Sequence, residues 1–434
     1  MRVSTNTVFE QGVYNILRGQ AQLIKTQDQI STGRRVLSPS DDPVASSRAL
    51  EVSQSKSVNA QFNRNSESAQ AAISLQEESL NRYTALLQDV KTLAVNAGNG
   101  ALTQRELKSL AAELRGRYEE LLGIANTTDS NGLYLFSGFQ GNTLPFTENS
   151  PGVVAYNGDE GTRLVQVGPA RDIPVSNSGA EVFQKIRNGN GTFVTAATAT
   201  NTGTGVVTQG VVRNEAAWNT AGNPKNFEVR FHVDSTTIPP RTTYDIVDTV
   251  NGVSLLTGGA PVAGPHTRTY QTGAAISLST QTPPDTNPTA FDYGIELSVT
   301  GTPADGDAFT VAPSTTQDVF TTMYDLITAM ENTGAGPTEN TRLTNSLNTA
   351  LTEIDNALDV NLRVLAAVGS YSKELDVNRE VGEDLNLQFD KMLSSLQDLD
   401  YASAITQLTY QQISLDAAQK SFMQVQQLSL FELL

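Results

Sequence analysis

The stretch from Tyr401 to Leu434 limits what this chain can fold into more than any other. It holds no Pro and no Gly, and its charged residues are Asp416, Lys420 and Glu432. Ala404, Leu408, Gln411, Leu415, Ala418, Phe422 and Val425 recur at steps of four and three. That spacing lays one seam along a helix and calls for a partner helix. The remaining surface mixes Gln, Ser and Thr with further apolar residues, among them Ile405, Ile413, Met423, Leu428 and Phe431. Chain ends are ordinarily polar and frayed. This one is adhesive.

The other end has the same need. Residues 1–32 read as a helix with Ile16, Leu23 and Ile30 at sevenfold spacing, backed by Val13, Leu17 and Ile24. Gly12 and Gly19 weaken it by roughly 1 kcal/mol each relative to Ala. Such a helix is marginal alone in water. Gly33 suits the left-handed position just past a helix end. Ser40 or Asp41 then caps the next helix, with Asp42 at its positive end and Pro43 in its first turn.

From Val44 to Gly98 the pattern is helical, with Phe62, Ala69, Ile73, Leu80, Tyr83, Leu87, Val90 and Ala94 on one stripe. Ser66 and Gln76 fill polar positions of that stripe. Thr103 and Glu106 form a capping box ahead of a helix with Leu107, Leu110, Leu114, Tyr118, Leu121 and Ala125 inward. Leu133–Phe136 reads as a short strand.

Between about 145 and 312 Gly, Thr, Asn and Pro dominate. Val153–Tyr156 and Thr162–Val167 flank Asn157–Gly161 as a hairpin. Further strands are expected at Phe227–Val233, Thr243–Val247, Ala275–Ser279, Gly294–Val299 and Phe309–Val311, and Thr192–Gly210 reads as a long loop. After a short helix carrying Phe320, Met323, Ile327 and Met330, a stripe runs through Leu343, Leu347, Leu351, Ile354, Leu358, Leu362, Leu365 and Val368. Phe389, Leu393 and Leu396 continue it. A helix from 340 to 396 is on the order of 85 Å long.

The fold class is therefore mainly α with an all-β insertion. Both chain ends build a long antiparallel helical bundle, and β-rich outer domains are inserted in its middle. The expected segments are 1–35, 36–146, 147–312, 313–398 and 399–434.

The net charge of -17 argues against nucleic acid or an anionic membrane as partner. Having no cysteine excludes disulfides, thiolate metal sites and Cys nucleophiles. No apolar run reaches membrane-spanning length, and residues 1–19 do not read as a cleavable signal peptide. His232 and His266, the two histidines, lack metal-site spacing and read as surface or turn residues. Asp305–Asp307 reads as a tight turn rather than a cation loop, and Asn188–Gly191 lacks the lysine of a phosphate loop. No catalytic, cofactor or metal site is expected.

The corner Ile30-Ser-Thr-Gly-Arg-Arg-Val-Leu-Ser-Pro-Ser-Asp-Asp-Pro-Val-Ala-Ser-Ser-Arg48, with Gly33, Asp41, Asp42 and Pro43, resembles the N-terminal signature of the bacterial flagellin superfamily. Within it, the chain is similar to the hook-filament junction proteins. Asn131–Gly138 with Pro145-Phe146, Tyr156–Gly161, Asp398–Ile405 and Gln427–Phe431 carry the same likeness. It covers roughly residues 1–170 and 340–434.

The resemblance implies a structural adaptor, not an enzyme, that joins the hook side to the flagellin filament by helical self-assembly. Ile16, Leu23, Ile30, Ala404, Leu408, Leu415, Phe422, Val425, Leu428 and Phe431 would form the assembly surfaces. Implied partners are copies of itself, a hook-side hook-associated protein, flagellin, and a cytosolic export chaperone holding Leu408, Leu415 and Phe422. The implied location is the extracellular flagellum, reached by type III export without a cleaved signal. Two other readings are a flagellin filament subunit and a secreted adhesin or carbohydrate-binding module on a helical stalk.

Overall fold

The computed structural model describes residues 5–129 and 131–431, the side chains of 5, 6, 8 and 425–431 excepted. About half of these residues are helical, with helices at both ends and an antiparallel β-rich region between them. The helices are α1 (Thr5–Thr32), α2 (Pro43–Ala97), α3 (Gln104–Ala125), a single turn α4 (Glu215–Trp218), α5 (Val319–Asn332), α6 (Pro337–Gln397) and α7 (Tyr401–Phe431). The chain forms two compact units. One lies within Met1–Ser68, Gln166–Arg171 and Leu375–Leu434, the other in Ala69–Val165 and Asp172–Glu374.

In the second unit α2 and α6 pair antiparallel. Gln70 bonds Ser372 at 2.8 Å, Asn361 bonds the Leu80 carbonyl at 2.9 Å, and Lys91 pairs with Asp355 at 2.5 Å. The α2 seam is the expected one from Ala69 to Ala94, all of it buried, Gln76 included. The α6 seam differs from expectation. Leu343, Leu347, Ala350, Glu353, Ile354, Ala357, Asn361, Val364 and Val368 are the buried residues, whereas Leu362 is 52% exposed. Leu343, Leu347, Ile354 and Val368 of the expected stripe are buried, while Leu351, Leu358 and Leu365 are only partly so, because alanines and one asparagine hold other seam positions. The Asn361 amide nitrogen donates there to the Leu80 carbonyl and to the Thr84 hydroxyl at 2.7 Å.

The capping box at Thr103 and Glu106 starts α3 as read. An aromatic cluster closes the helical part of this unit, with Phe183 ringed by Tyr83, Phe136, Phe146 and Phe320. That cluster explains why Leu133–Phe136 is not a strand. Leu135 and Phe136 are both buried, so the segment turns inward and bonds piecemeal, Leu135 N–H to Thr127 O and Tyr134 N–H to Gly141 O.

The expected hairpin across Asn157–Gly161 does not form either. Val153–Tyr156 pairs with Phe146–Ser150, and Leu164–Gly168 with Arg171–Pro174. The Asp159 carboxylate accepts from Phe139 and Gly161 N–H, and this folds the intervening residues into a loop instead of a turn.

The β region has one core of its own. Phe193–Ala197, Ala308–Pro313, Phe227–Asp234 and Arg241–Asp248 pair in that order, antiparallel. A second sheet centres on Asp292–Thr300, flanked by Ala275–Ser279 on one edge and by Val206–Val207 and Val211–Val212 on the other. Phe227, Val229 and Phe231 point into the core while Glu228 and Arg230 pair outside, the period of two that a half-buried strand requires. Thr192–Gly210 is thus not one long loop. Phe193 and Thr195 are buried on alternate positions, a strand signal masked by small residues.

Candidate assembly interface

The candidate site lies in the first unit, where α1 and α7 pack along each other. On α1 the inward line is Gly12, Ile16, Gly19, Leu23, Thr26 and Ile30, and on α7 it is Ala404, Leu408, Gln411, Leu415, Ala418 and Phe422. Both step by four and three. Ala404 and Thr26 are buried and the large members of the two lines half-buried. The side chains of Val425, Leu428 and Phe431 lie outside the described residues.

The two glycines are seam positions rather than weak points. A Cβ at Gly12 would stand 2.6 Å from Phe422, and one at Gly19 would stand 3.3 Å from Leu415. Phe422 fills the space over Gly12 and meets Phe9 ring to ring at 5.3 Å. Glycine therefore trades helix propensity for close approach. Leu17 and Ile24, expected to back the seam, instead face outward, both more than half exposed.

At one end of the pair, the α1–α2 corner is stitched to the α6–α7 corner. Leu399 N–H donates to Gly33 O at 2.9 Å, Arg35 N–H to Gln397 O at 2.7 Å, and the Arg35 guanidinium to Leu396 O at 2.9 Å. Gly33 has φ +70° and lies under the Tyr401 hydroxyl, so both conformation and space demand Gly. Asp42, not Ser40 or Asp41, caps α2, accepting from Ala45 N–H at 3.0 Å. With Pro43 at the first helical position, the residue before it is the cap. Asp41 instead folds the loop, accepting from Leu37 and Ser38 N–H and from Lys25 at 2.6 Å. Asp400 caps α7 through Ala402 and Ser403. Lys25, outside the corner motif, was not singled out by pattern, since a single exposed cation carries no spacing signal.

The Lys25 ammonium, with the Ser38 amide next, holds the Asp41 carboxyl down at about 2. A depressed carboxylate stabilises the corner above its unfolded value near 3.8, and that contribution is lost as pH falls through about 2. In a Lys25→Met variant, carboxyl NMR should show Asp41 titrating closer to 3.8. An unmoved titration would assign the shift to the backbone donors.

Exposed apolar residues stand among polar ones on the outer faces of both helices: Tyr14, Leu17 and Ile24 on α1, and Ile405, Met423, Tyr410 (74%) and Ile413 (64%) on α7. Scattered exposed apolar residues are ordinary, but a contiguous set along paired helices marks an association surface. Among the described residues no group of three or more His, Cys, Asp or Glu is placed to hold a metal, and no helix is long and apolar enough to cross a membrane.

Terminal helices thus pair in one unit, and a β-rich region has its own core in the other. The family model of the bacterial flagellin N-terminal helical region matches residues 3–141. The chain is similar to flagellar hook-associated protein 3 of Salmonella typhimurium, with 38% identity over 186 residues, 43% of this chain and 58% of that relative. The match thus spans a little over half the length of this curated relative. The crystal structure of flagellar hook-associated protein-3 from Legionella pneumophila has a TM-score of 0.67 at 28% identity, covering 80% of this chain and 98% of that one. Phase 1 flagellin of Salmonella naestved is more distant, 28% identical over 31% of this chain and 27% of its own length.

Proposed function

We propose that the chain is a structural adaptor of the bacterial flagellum, joining the hook side to the flagellin filament at the hook-filament junction. The observation that carries this reading is the α1–α7 pair, whose outer faces keep large apolar residues exposed in the single chain. Burying a large apolar side chain fully contributes about 1.5–3 kcal/mol, and ordering a residue costs about 1–2 kcal/mol. A lone pair of such helices is therefore marginal, and neighbouring copies complete the burial. A helical tube uses contacts that do not close, so growth has direction and each end stays free for the next protein.

In this reading both chain ends build one antiparallel helical bundle, and Ile16, Leu23, Ile30, Ala404, Leu408, Leu415 and Phe422 hold the inner pair. Gly33, Asp41, Asp42 and Pro43 set the corner. The partners are copies of the chain, a hook-associated protein on the hook side and flagellin on the other. Before export without a cleaved signal, a cytosolic chaperone covers Leu408, Leu415 and Phe422. The work is mechanical, not catalytic. The greater distance of the flagellins favours junction over filament subunit. A truncation after Leu399 tests this: the protein should stay soluble, with the second unit folded, while filaments fail to attach. Normal attachment by that truncation would overturn the proposal.

A further inference from the structure

Within the second unit, the strand Phe193–Ala197 and the helices α5 and α6 enclose a cavity of about 550 Å³. The sequence explains why side chains do not fill it. Phe193 joins the β core and Thr195 is buried on the same side. Successive side chains of a strand point to opposite faces, so Val194 and Ala196 face the other way. Both line the cavity, with Val207 and Ala350. Side chains this small do not span the space to α6.

The floor of the cavity carries a single charged group. Glu353 lines it at 6% exposure. Its Oε2 accepts from the Thr322 hydroxyl at 2.9 Å and from the Gln317 amide at 3.0 Å, both neutral donors. Its Oε1 accepts from no described residue. Arg342, the cation of the wall, is exposed and turned to Glu339 at 2.8 Å and to the Asn201 carbonyl at 3.0 Å. On α6 it lies about 16 Å from Glu353 along the helix axis. Asp325 of α5 adds a carboxylate at the exposed rim.

A buried carboxylate without a cationic partner is costly, and a cavity of this size suits a small molecule. A lone ion needs no such length. Aliphatic walls that end on one deep carboxylate fit a chain with one charged end. We propose that the cavity binds a small aliphatic primary amine, its ammonium on Glu353 Oε1 and its chain along Val194, Ala196, Val207 and Ala350. Thr322 and Gln317 hold the carboxylate in place. Arg342 at the far end disfavours a second positive charge, so the ligand is a monoamine rather than a polyamine. The site lies in the second unit and the α1–α7 pair in the first, so the proposal stands apart from the junction role.

Isothermal titration of the full chain with n-hexylammonium chloride and with 1-hexanol, its neutral counterpart, tests it. The expected result is saturable one-to-one binding of the amine, about tenfold or more tighter than the alcohol. Glu353→Gln should remove that preference and leave the two probes alike. Ala196→Trp, at an exposed strand position, should block both. Glu331 pairs with Arg115 outside the cavity, so Glu331→Gln should bind as the parent does. That control separates the site from the general attraction of a chain of net charge -17. No saturable binding, equal affinity for the two probes, or amine binding unchanged in Glu353→Gln or in Ala196→Trp would overturn the proposal.

Discussion

An Ile413→Asp substitution is expected to abolish filament attachment while leaving the isolated subunit as stable as the parent. Ile413 is 64% exposed on α7 and lies off the line that faces α1. In the free chain the new carboxylate stays in water, where a surface change is worth within about 0.5 kcal/mol. In a tube built on that face it would be buried without a cation, and an unpaired buried charge is strongly unfavourable. Thermal unfolding and a motility assay separate the two effects. Loss of attachment together with a lowered melting temperature would point to a folding defect, and retained attachment would remove this face from the interface.

A Phe183→Ala substitution should be the most destabilising single change in the second unit, by about 3–5 kcal/mol. Phe183 is fully buried and touches Tyr83 at 4.8 Å, Phe136 at 5.2 Å and Phe146 at 5.4 Å between ring centres. With Phe320 these make four rings drawn from α2, the 136–146 segment and α5, so its removal leaves a cavity that no one segment can close. Urea unfolding followed through the helical signal measures it. A loss below about 1 kcal/mol would mean that the cluster relaxes and does not anchor the unit.

Sequence periodicity reached the helices with little error, because seam spacing is local and repeats many times. The extents of α2 and α6 follow from it, and so does the α7 line. What it missed depended on partners distant in the chain. Gly12 and Gly19 looked like defects until Phe422 and Leu415 stood over them. Ala350, Ala357 and Asn361 carried no visible seam signal, since small and polar residues become core only when another helix approaches.

The β region divided along the same line. Strands with strong alternation, such as Phe227–Asp234, were legible, whereas Phe193–Ala197 was hidden in a Thr- and Ala-rich run. Its pairing with Ala308–Pro313 spans more than a hundred residues of chain, and no local pattern reports that. At the corner, Gly33 was readable from backbone conformation alone. The cap expected at Ser40 or Asp41 falls on Asp42, since a cap and a loop clasp use the same residue type.

The central claim is that this chain occupies the joint between hook and filament. Fractionation of flagella into hook-basal bodies and filaments, followed by detection of the chain in each, tests it most directly. The account predicts a band confined to the hook end, and cells lacking the chain that release flagellin unattached into the medium. Distribution along the whole filament, or intact filaments on cells lacking the chain, would contradict it.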